Sequence, residues 1–155
     1  MPQGLPSPTI AHPLPSGKQV TLSEAAAVIG EPVVIPDTAL TSAEEAGPVW
    51  AWSHDTRGIV AVTYPSVGLI ISYQRPLTYA DPLAGYTGVS KGIPSSHVIS
   101  LGGVPALAVP ENTDETGHNF GVVAFEIKDL EIRVMGHYDE ATLEAVAQSI
   151  VDGSK

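Results

Sequence analysis

The chain has 155 residues, of which 43% are apolar and 15% are charged, and this length and composition suit one globular domain. Its 17 acidic and 7 basic side chains give a formal net charge of −10, which argues against binding to nucleic acid or to anionic membrane surfaces. Cysteine is absent, which excludes disulfides, thiolate metal sites and a cysteine nucleophile, and suits an exported bacterial domain. No apolar run reaches the ~18–20 residues of a membrane span and the first residues lack a signal-peptide pattern, so we expect no transmembrane segment here.

Residues 1–17 are rich in proline and in small polar residues. This composition favours extended chain without a packed core, so we predict a disordered linker over residues 1–17 and one domain over residues 18–155.

A short helix follows the linker. Thr21 and Glu24 have the spacing of a capping box, and Gly30 is placed to end the helix. The prolines at both ends of 32–36 then predict a short extended piece, either at a sheet edge or in a crossing loop.

Alternating apolar residues predict a three-stranded antiparallel meander over 49–53, 59–64 and 69–74. A further hairpin is predicted over 97–101 and 104–109, with a Gly-Gly turn. Pro105 lies in its second strand and suggests that this strand lies toward a sheet edge.

Periodicity is lost between Arg75 and Ser95, where prolines and glycines recur. We therefore predict a long loop over this stretch, and such loops inside compact domains are usually functional or mobile.

The last third of the chain has the most consistent pattern. Strands are predicted over 123–127 and 130–134, and a two-residue turn at Lys128-Asp129 places all of their apolar residues on one face. Asp139 is suited to cap a helix whose apolar residues recur at helical spacing from Leu143 to Ile150. The fold predicted from these elements is α+β: a twisted antiparallel sheet of about six or seven strands, packed by a short N-terminal helix and a longer C-terminal helix.

The order of these elements resembles a known family. The resemblance covers roughly residues 22–151 and is carried by short motifs: Leu22-Ser23-Glu24-Ala25, Ile29-Gly30-Glu31-Pro32-Val33, Ile35-Pro36, Val60–Tyr64, Val98–Gly103, Val122–Phe125, Ile132–Gly136 and Ala147-Gln148-Ser149-Ile150. The chain is similar to uncharacterised extracytoplasmic domains found C-terminal in anti-sigma factors and in related membrane-anchored or lipoprotein chains of Gram-positive bacteria. A tryptophan common in the strand before the last turn of that family is replaced here by Phe125 or Ala124.

The resemblance implies an extracytoplasmic location and a sensing or interaction role, and it brings no catalytic residues. The residues themselves also point away from an enzyme. The histidines lack metal-ligand spacing, so a metal site would need scattered ligands such as Glu111, Asp114 and His118. No G-x-S-x-G motif occurs, and neighbouring residues such as Ser96 and His97 point to opposite faces of a strand. We predict no cofactor, no metal and no catalytic residue.

Aromatic residues form the one candidate binding set: Trp50, Trp52, Tyr73, Tyr79 and Tyr86. On a curved sheet they could line a cavity covered by residues 76–95, although packing of such residues in a core is the commoner outcome. Three functions remain open. The first is a non-enzymatic extracytoplasmic module that senses a condition or binds a protein partner. The second is a carrier or sensor of a small apolar ligand, lipid-like or peptide-like, and the third is a hydrolase.

Overall fold

The computed structural model describes residues 18–36, 38, 41, 47–54, 57–75, 81–92, 96–109 and 121–154. Residues 1–17, the predicted linker, lie outside this part of the chain. The described residues form eight strands and three helices: β1 (Lys18–Val20), α1 (Leu22–Ile29), β2 (Val49–His54), β3 (Arg57–Tyr64), β4 (Leu69–Arg75), α2 (Pro82–Gly92), β5 (His97–Leu101), β6 (Val104–Val109), β7 (Gly121–Ile127), β8 (Leu130–Gly136) and α3 (Glu140–Gly153).

All eight strands join one antiparallel sheet in the order β1-β2-β3-β4-β8-β7-β6-β5. The sheet therefore consists of two meanders, β1–β4 and β5–β8, which meet where β4 pairs with β8. The predicted α+β class is confirmed. The strand count exceeds the predicted six or seven because Lys18–Val20 adds an edge strand beside Val49–Ala51.

The predicted register of the final hairpin is confirmed. Ile127 pairs with Leu130, and Phe125 pairs with Ile132. The turn residues Lys128 and Asp129 both have positive φ, 53° and 63°, as a type I′ turn requires. The apolar residues of both strands consequently enter the same core.

Helices α1 and α3 pack on the same face of the sheet, which we call the inner face. Thr21 and Glu24 form the predicted capping box on α1, and Gly30 ends the helix with φ of 75°. Asp139 caps α3 by accepting from the Thr142 amide at 2.9 Å. The buried residues of α3 are Leu143, Val146, Ala147, Ile150 and Val151.

The prediction of a loop throughout 75–95 is wrong, because residues 82–92 form helix α2. The glycines in this stretch lower its helix propensity, so the helix could not be recognised from the sequence. Asp81 begins the helix, with its carboxylate 3.3 Å from the Ala84 amide, and Pro82 takes the first helical position. Tyr86 then packs against Leu107 and Ala124, which point to the face opposite α1 and α3. Packing of this side chain compensates for the weak propensity.

Pro105 lies in β6, which is an interior strand between β5 and β7, so its predicted shift toward an edge is wrong. The pairing of β6 with β7 begins only at Ala106. Pro105 therefore precedes this ladder and does not need an amide to complete it.

The extended piece at residues 32–36 is a crossing segment, the second of the two predicted alternatives. It passes over the inner face, where the Tyr73 hydroxyl donates to the Val34 carbonyl at 2.7 Å. Among the described elements, no helix has the length and apolar character needed to cross a bilayer.

Candidate functional site

The face of the sheet opposite α1 and α3, here the outer face, carries the two tryptophans. Trp50 and Trp52 alternate with buried Ala51 on β2, so both point outward, and both remain partly exposed. The register places Ile59, also partly exposed, directly beside Trp52. These three side chains form an aromatic and aliphatic surface on the β2–β3 side of the outer face.

The centre of the outer face carries an ion pair. Glu131 on β8 is only 3% exposed, and Arg133 reaches back to it along the same strand. Arg133 Nε donates to Glu131 Oε2 at 2.8 Å, and Arg133 Nη2 also contacts this oxygen. Glu126 faces Glu131 on the neighbouring strand, and its carboxylate accepts from the Asp129 amide at 2.8 Å. The Glu131 carboxylate is thus bound by the Arg133 guanidinium, and the Glu126 carboxylate by the backbone amide of the turn.

The predicted aromatic set is divided between the two faces of the sheet. Trp50, Trp52 and Tyr86 share the outer face, but Tyr86 lies over β6 and β7. With four strands between β2 and β6, the tryptophans lie about 24 Å from β6 at the usual strand spacing of ~4.8 Å. Tyr73 lies on the inner face, within the main core. Tyr79 lies outside the described residues.

The inner face contains a pocket of about 190 Å³, here the end pocket, where the crossing segment, the β7–β8 turn and the end of α3 meet. Tyr73, Ile132 and Ile150 are buried and form its floor. Its other lining residues are Glu31, Pro32, Val34, Ile127, Lys128, Gly153 and Ser154. The Tyr73 hydroxyl is already donated to Val34, so the floor is chiefly apolar.

Arg75 joins two residues of this pocket at its mouth. Its Nη2 donates to the Lys128 carbonyl at 2.9 Å and lies 3.9 Å from Glu31 Oε2. The Arg75 side chain is 33% exposed, whereas its Nε is buried and has no hydrogen-bond partner among the described residues. The Arg75 guanidinium therefore lies beside two of the residues that line an apolar pocket.

A third cluster joins the start of β5 to the first turns of α3. His97 Nε2 lies 2.9 Å from Glu140 Oε2. The hydrogen bond with Glu140, then burial and the Glu140 charge, raise the pKa of the Glu144 carboxyl, while His97 lowers it in part. The His97–Glu140 contact therefore connects the start of β5 to α3 beside a carboxyl whose pKa is raised.

Catalytic groupings gain no support from the part of the chain that the structure describes. It contains no group of three or more histidine, aspartate or glutamate side chains able to hold a metal ion. Ser66 lies in the turn between β3 and β4, and the described contact of His97 is with Glu140. Glu111, Asp114 and His118, the example of a scattered metal site, lie outside the described residues.

The end pocket and Arg75 were not anticipated from the sequence. Their residues come from four separate stretches, near residues 32, 74, 128 and 152, and no local motif links them. Comparisons of the chain with protein-family models, curated proteins and solved structures found no match. Function is therefore inferred from the residues and their geometry.

Proposed function

We propose that this protein is a non-enzymatic extracytoplasmic module that senses a condition or binds a protein partner, within an exported or membrane-anchored bacterial protein. The observation that carries the proposal is the pair of partly exposed tryptophans on the outer face, Trp50 and Trp52. Tryptophan is enriched among the residues that contribute most to protein–protein binding, because it buries a large area with few rotatable bonds.

The surroundings of the tryptophans also suit an interface. Ile59 extends the apolar surface, and Arg133, which is partly exposed and held in place by the buried Glu131, offers a fixed charged group two strands beyond Ile59. Such fixed charges favour one orientation of a partner over others. The chain's net charge of −10 favours a partner whose surface is basic around an apolar centre.

The extracytoplasmic location rests on the absence of cysteine and on the family resemblance described above. The hypothesis of an apolar ligand beneath residues 76–95 gains less support, because Tyr86 is 2% exposed and packs directly against Leu107 and Ala124 under α2.

The proposal is tested by site-specific photo-crosslinking in the native host. Trp50 is replaced by a photoreactive phenylalanine analogue, and Leu83 is replaced in the same way as a control because it is 49% exposed on α2. We expect one envelope protein to be crosslinked from position 50 and not from position 83. Equal capture at both positions, or none at position 50, would contradict the proposal.

The crosslinked protein is then purified and titrated against the wild type and the Trp50→Ala and Leu83→Ala variants. Because the chain contains two tryptophans and both lie on the outer face, a partner bound there changes the intrinsic fluorescence. Trp50→Ala is expected to weaken binding by about 2 kcal/mol or more, and Leu83→Ala to leave it unchanged. Melting temperatures of both variants check that the fold is preserved.

A further inference from the structure

The end pocket has the size of a small ligand. A water molecule occupies about 30 Å³ in the liquid, so 190 Å³ holds roughly six groups of that size. Drug-sized ligands usually occupy larger pockets of about 300–1,000 Å³, and a long acyl chain exceeds the space here. The ligand class that fits is a short aliphatic body of about six carbon atoms.

The walls of the end pocket favour a ligand whose body is apolar. The buried floor of Tyr73, Ile132 and Ile150 continues into Val34 and Ile127, which are half-buried. Because the Tyr73 hydroxyl is committed to the Val34 carbonyl, the ring offers its apolar surface to the pocket. A polar body placed on this floor would lose its hydration without compensation.

The residues at the mouth of the end pocket favour a ligand with an anionic head group. Arg75 and Lys128 are two of only 7 basic residues in a chain with net charge −10; Lys128 lines the pocket together with Glu31, and its backbone carbonyl accepts from the Arg75 guanidinium. Glu31 lies 3.9 Å from Arg75, which is longer than a hydrogen bond, so the guanidinium is only partly neutralised. The Arg75 side chain is 33% exposed, so part of its guanidinium can be reached from solvent. A planar guanidinium matches the geometry of a carboxylate and can bind it through two parallel hydrogen bonds.

We propose that the end pocket binds a small aliphatic monocarboxylate, with its chain against Tyr73, Ile132 and Ile150 and its carboxylate at Arg75 and Lys128. The site lies on the inner face, opposite Trp50 and Trp52. It is therefore independent of the proposed partner surface, and either proposal can fail without the other.

The test uses hexanoate as the probe, with hexan-1-ol and hexylamine as matched ligands of the same length. Binding to the full chain is followed by amide chemical shifts in two-dimensional NMR spectra. We expect weak, millimolar binding of hexanoate, with shifts at Val34, Ile132 and Gly153. Hexan-1-ol should bind the same site about tenfold more weakly, and hexylamine more weakly still, because its charge is repelled by Arg75 and Lys128.

Three variants, one of them a control, test the apolar wall of the pocket and the charge at its mouth separately. Ile127→Phe places a larger side chain at the pocket wall and should reduce binding of both hexanoate and hexan-1-ol at least tenfold. Ile70→Phe, the matched change on the outer face, should leave both unchanged. Lys128→Asn keeps a residue type that tolerates positive φ, and should weaken hexanoate about two- to fivefold without affecting hexan-1-ol.

Equal affinities of wild-type protein for hexanoate and hexan-1-ol would overturn the carboxylate assignment. Shifts centred on Trp50 and Trp52, or no saturable shifts with any of the three ligands, would overturn the site itself. Because these outcomes are read on the wild type, they remain decisive even if a variant fails to fold.

Discussion

Leu143 is one of the five buried residues of α3. It is 1% exposed and belongs to the main core cluster, and it follows Asp139 at the position where a hydrophobic staple with Tyr138 forms. The Tyr138 hydroxyl also donates to the Val67 carbonyl, which fixes the entry of the helix beside the β3–β4 turn.

Leu143→Ala is therefore expected to destabilise the protein by roughly 2–5 kcal/mol, through lost burial and the cavity left behind. Chemical denaturation with a constant m-value measures this loss. Ala145→Ser, an exposed change on the same helix, is the control and should cost less than about 1 kcal/mol. A near-zero effect of Leu143→Ala would contradict the docking of α3.

Glu144 gives the protein a predictable pH dependence. Its folded-state pKa is raised above the ordinary value, so the fold favours its protonated form. Its contribution to stability is complete below the ordinary carboxylate pKa, and is lost as the pH rises through the raised folded value. At neutral pH the charged side chain opposes folding, because it lies beside the Glu140 carboxylate.

Glu144→Gln should consequently stabilise the protein at neutral pH by roughly a few tenths of a kcal/mol, since the group is largely solvated. The gain should disappear below the ordinary carboxylate pKa, where Glu144 is protonated. Thermal melts of wild type and variant across this pH range give the measurement. A gain that is constant with pH would assign the effect to something other than ionisation.

Single residues show why the candidate binding set could be predicted only in part. Tyr73 lies in the predicted strand 69–74 and Tyr86 in a stretch without periodicity, and the structure places them on opposite faces of the sheet. The alternation of a strand fixes that Trp50 and Trp52 share a face, because both belong to β2. It does not fix which face the helices cover, and this depends on packing between distant elements.

At the scale of elements, the β7–β8 turn is a local weakness in a regular hairpin. Lys128 and Asp129 both adopt left-handed backbone conformations, which cost a side-chain-bearing residue about 1–2 kcal/mol. The turn is retained because the register of the whole hairpin depends on a two-residue connection.

Replacing both residues with the preferred pair, Lys128→Asn with Asp129→Gly, is expected to raise the free energy of unfolding by about 1 kcal/mol. The reverse change at the β5–β6 turn, Gly102→Lys with Gly103→Asp, should lower it, because both glycines have positive φ there. Differential scanning calorimetry measures both shifts. A destabilised Asn-Gly variant would show that the native side chains of the turn contribute more than its backbone strain costs.

Elements with strong local patterns could be predicted and those without could not. The meander, both hairpins and the two capped helices have an alternation of apolar residues or a capping motif that can be recognised from neighbouring residues alone. Helix α2 contains glycines at positions 85, 88 and 92, and its formation depends on Tyr86 meeting β6 and β7. Strand β1 has three residues, too few to show a period.

At the scale of the whole molecule, the two meanders and the helices α1 and α3 form the core of the described residues, and the first 17 residues are predicted from their composition to be a linker. Deletion of residues 1–17 is therefore expected to leave the melting temperature unchanged, since a proline-rich linker contributes no buried surface. A clear decrease would show that this segment packs on the domain. Removal of Lys155 alone, which leaves the Ser154 cap of α3 in place, is the control for shortening the chain.

The end pocket is a feature of the whole molecule and not of any single element. It combines a floor from β4, β8 and α3 with a mouth from the crossing segment and the β7–β8 turn, so it depends on the complete topology. Composition gave a useful part of the picture, since a low charge content with many prolines and glycines indicated a sheet-rich domain. It contained no information on where Arg75 and Lys128 would meet.

The junction of β4 and β8 has a consequence for how the chain folds. It pairs Ser72 with Arg133 and Leu69 with Gly136, so its partners are about sixty residues apart in sequence, whereas short turns join β2 to β3, β3 to β4, β5 to β6 and β7 to β8. Closing so long a loop costs entropy before any of its pairs contribute stability. The β2–β4 meander and the β5–β6 and β7–β8 hairpins can form from local contacts first, and the pairing of β4 with β8 then joins the two halves of the sheet, which makes this junction the expected slow step on the path to the native state.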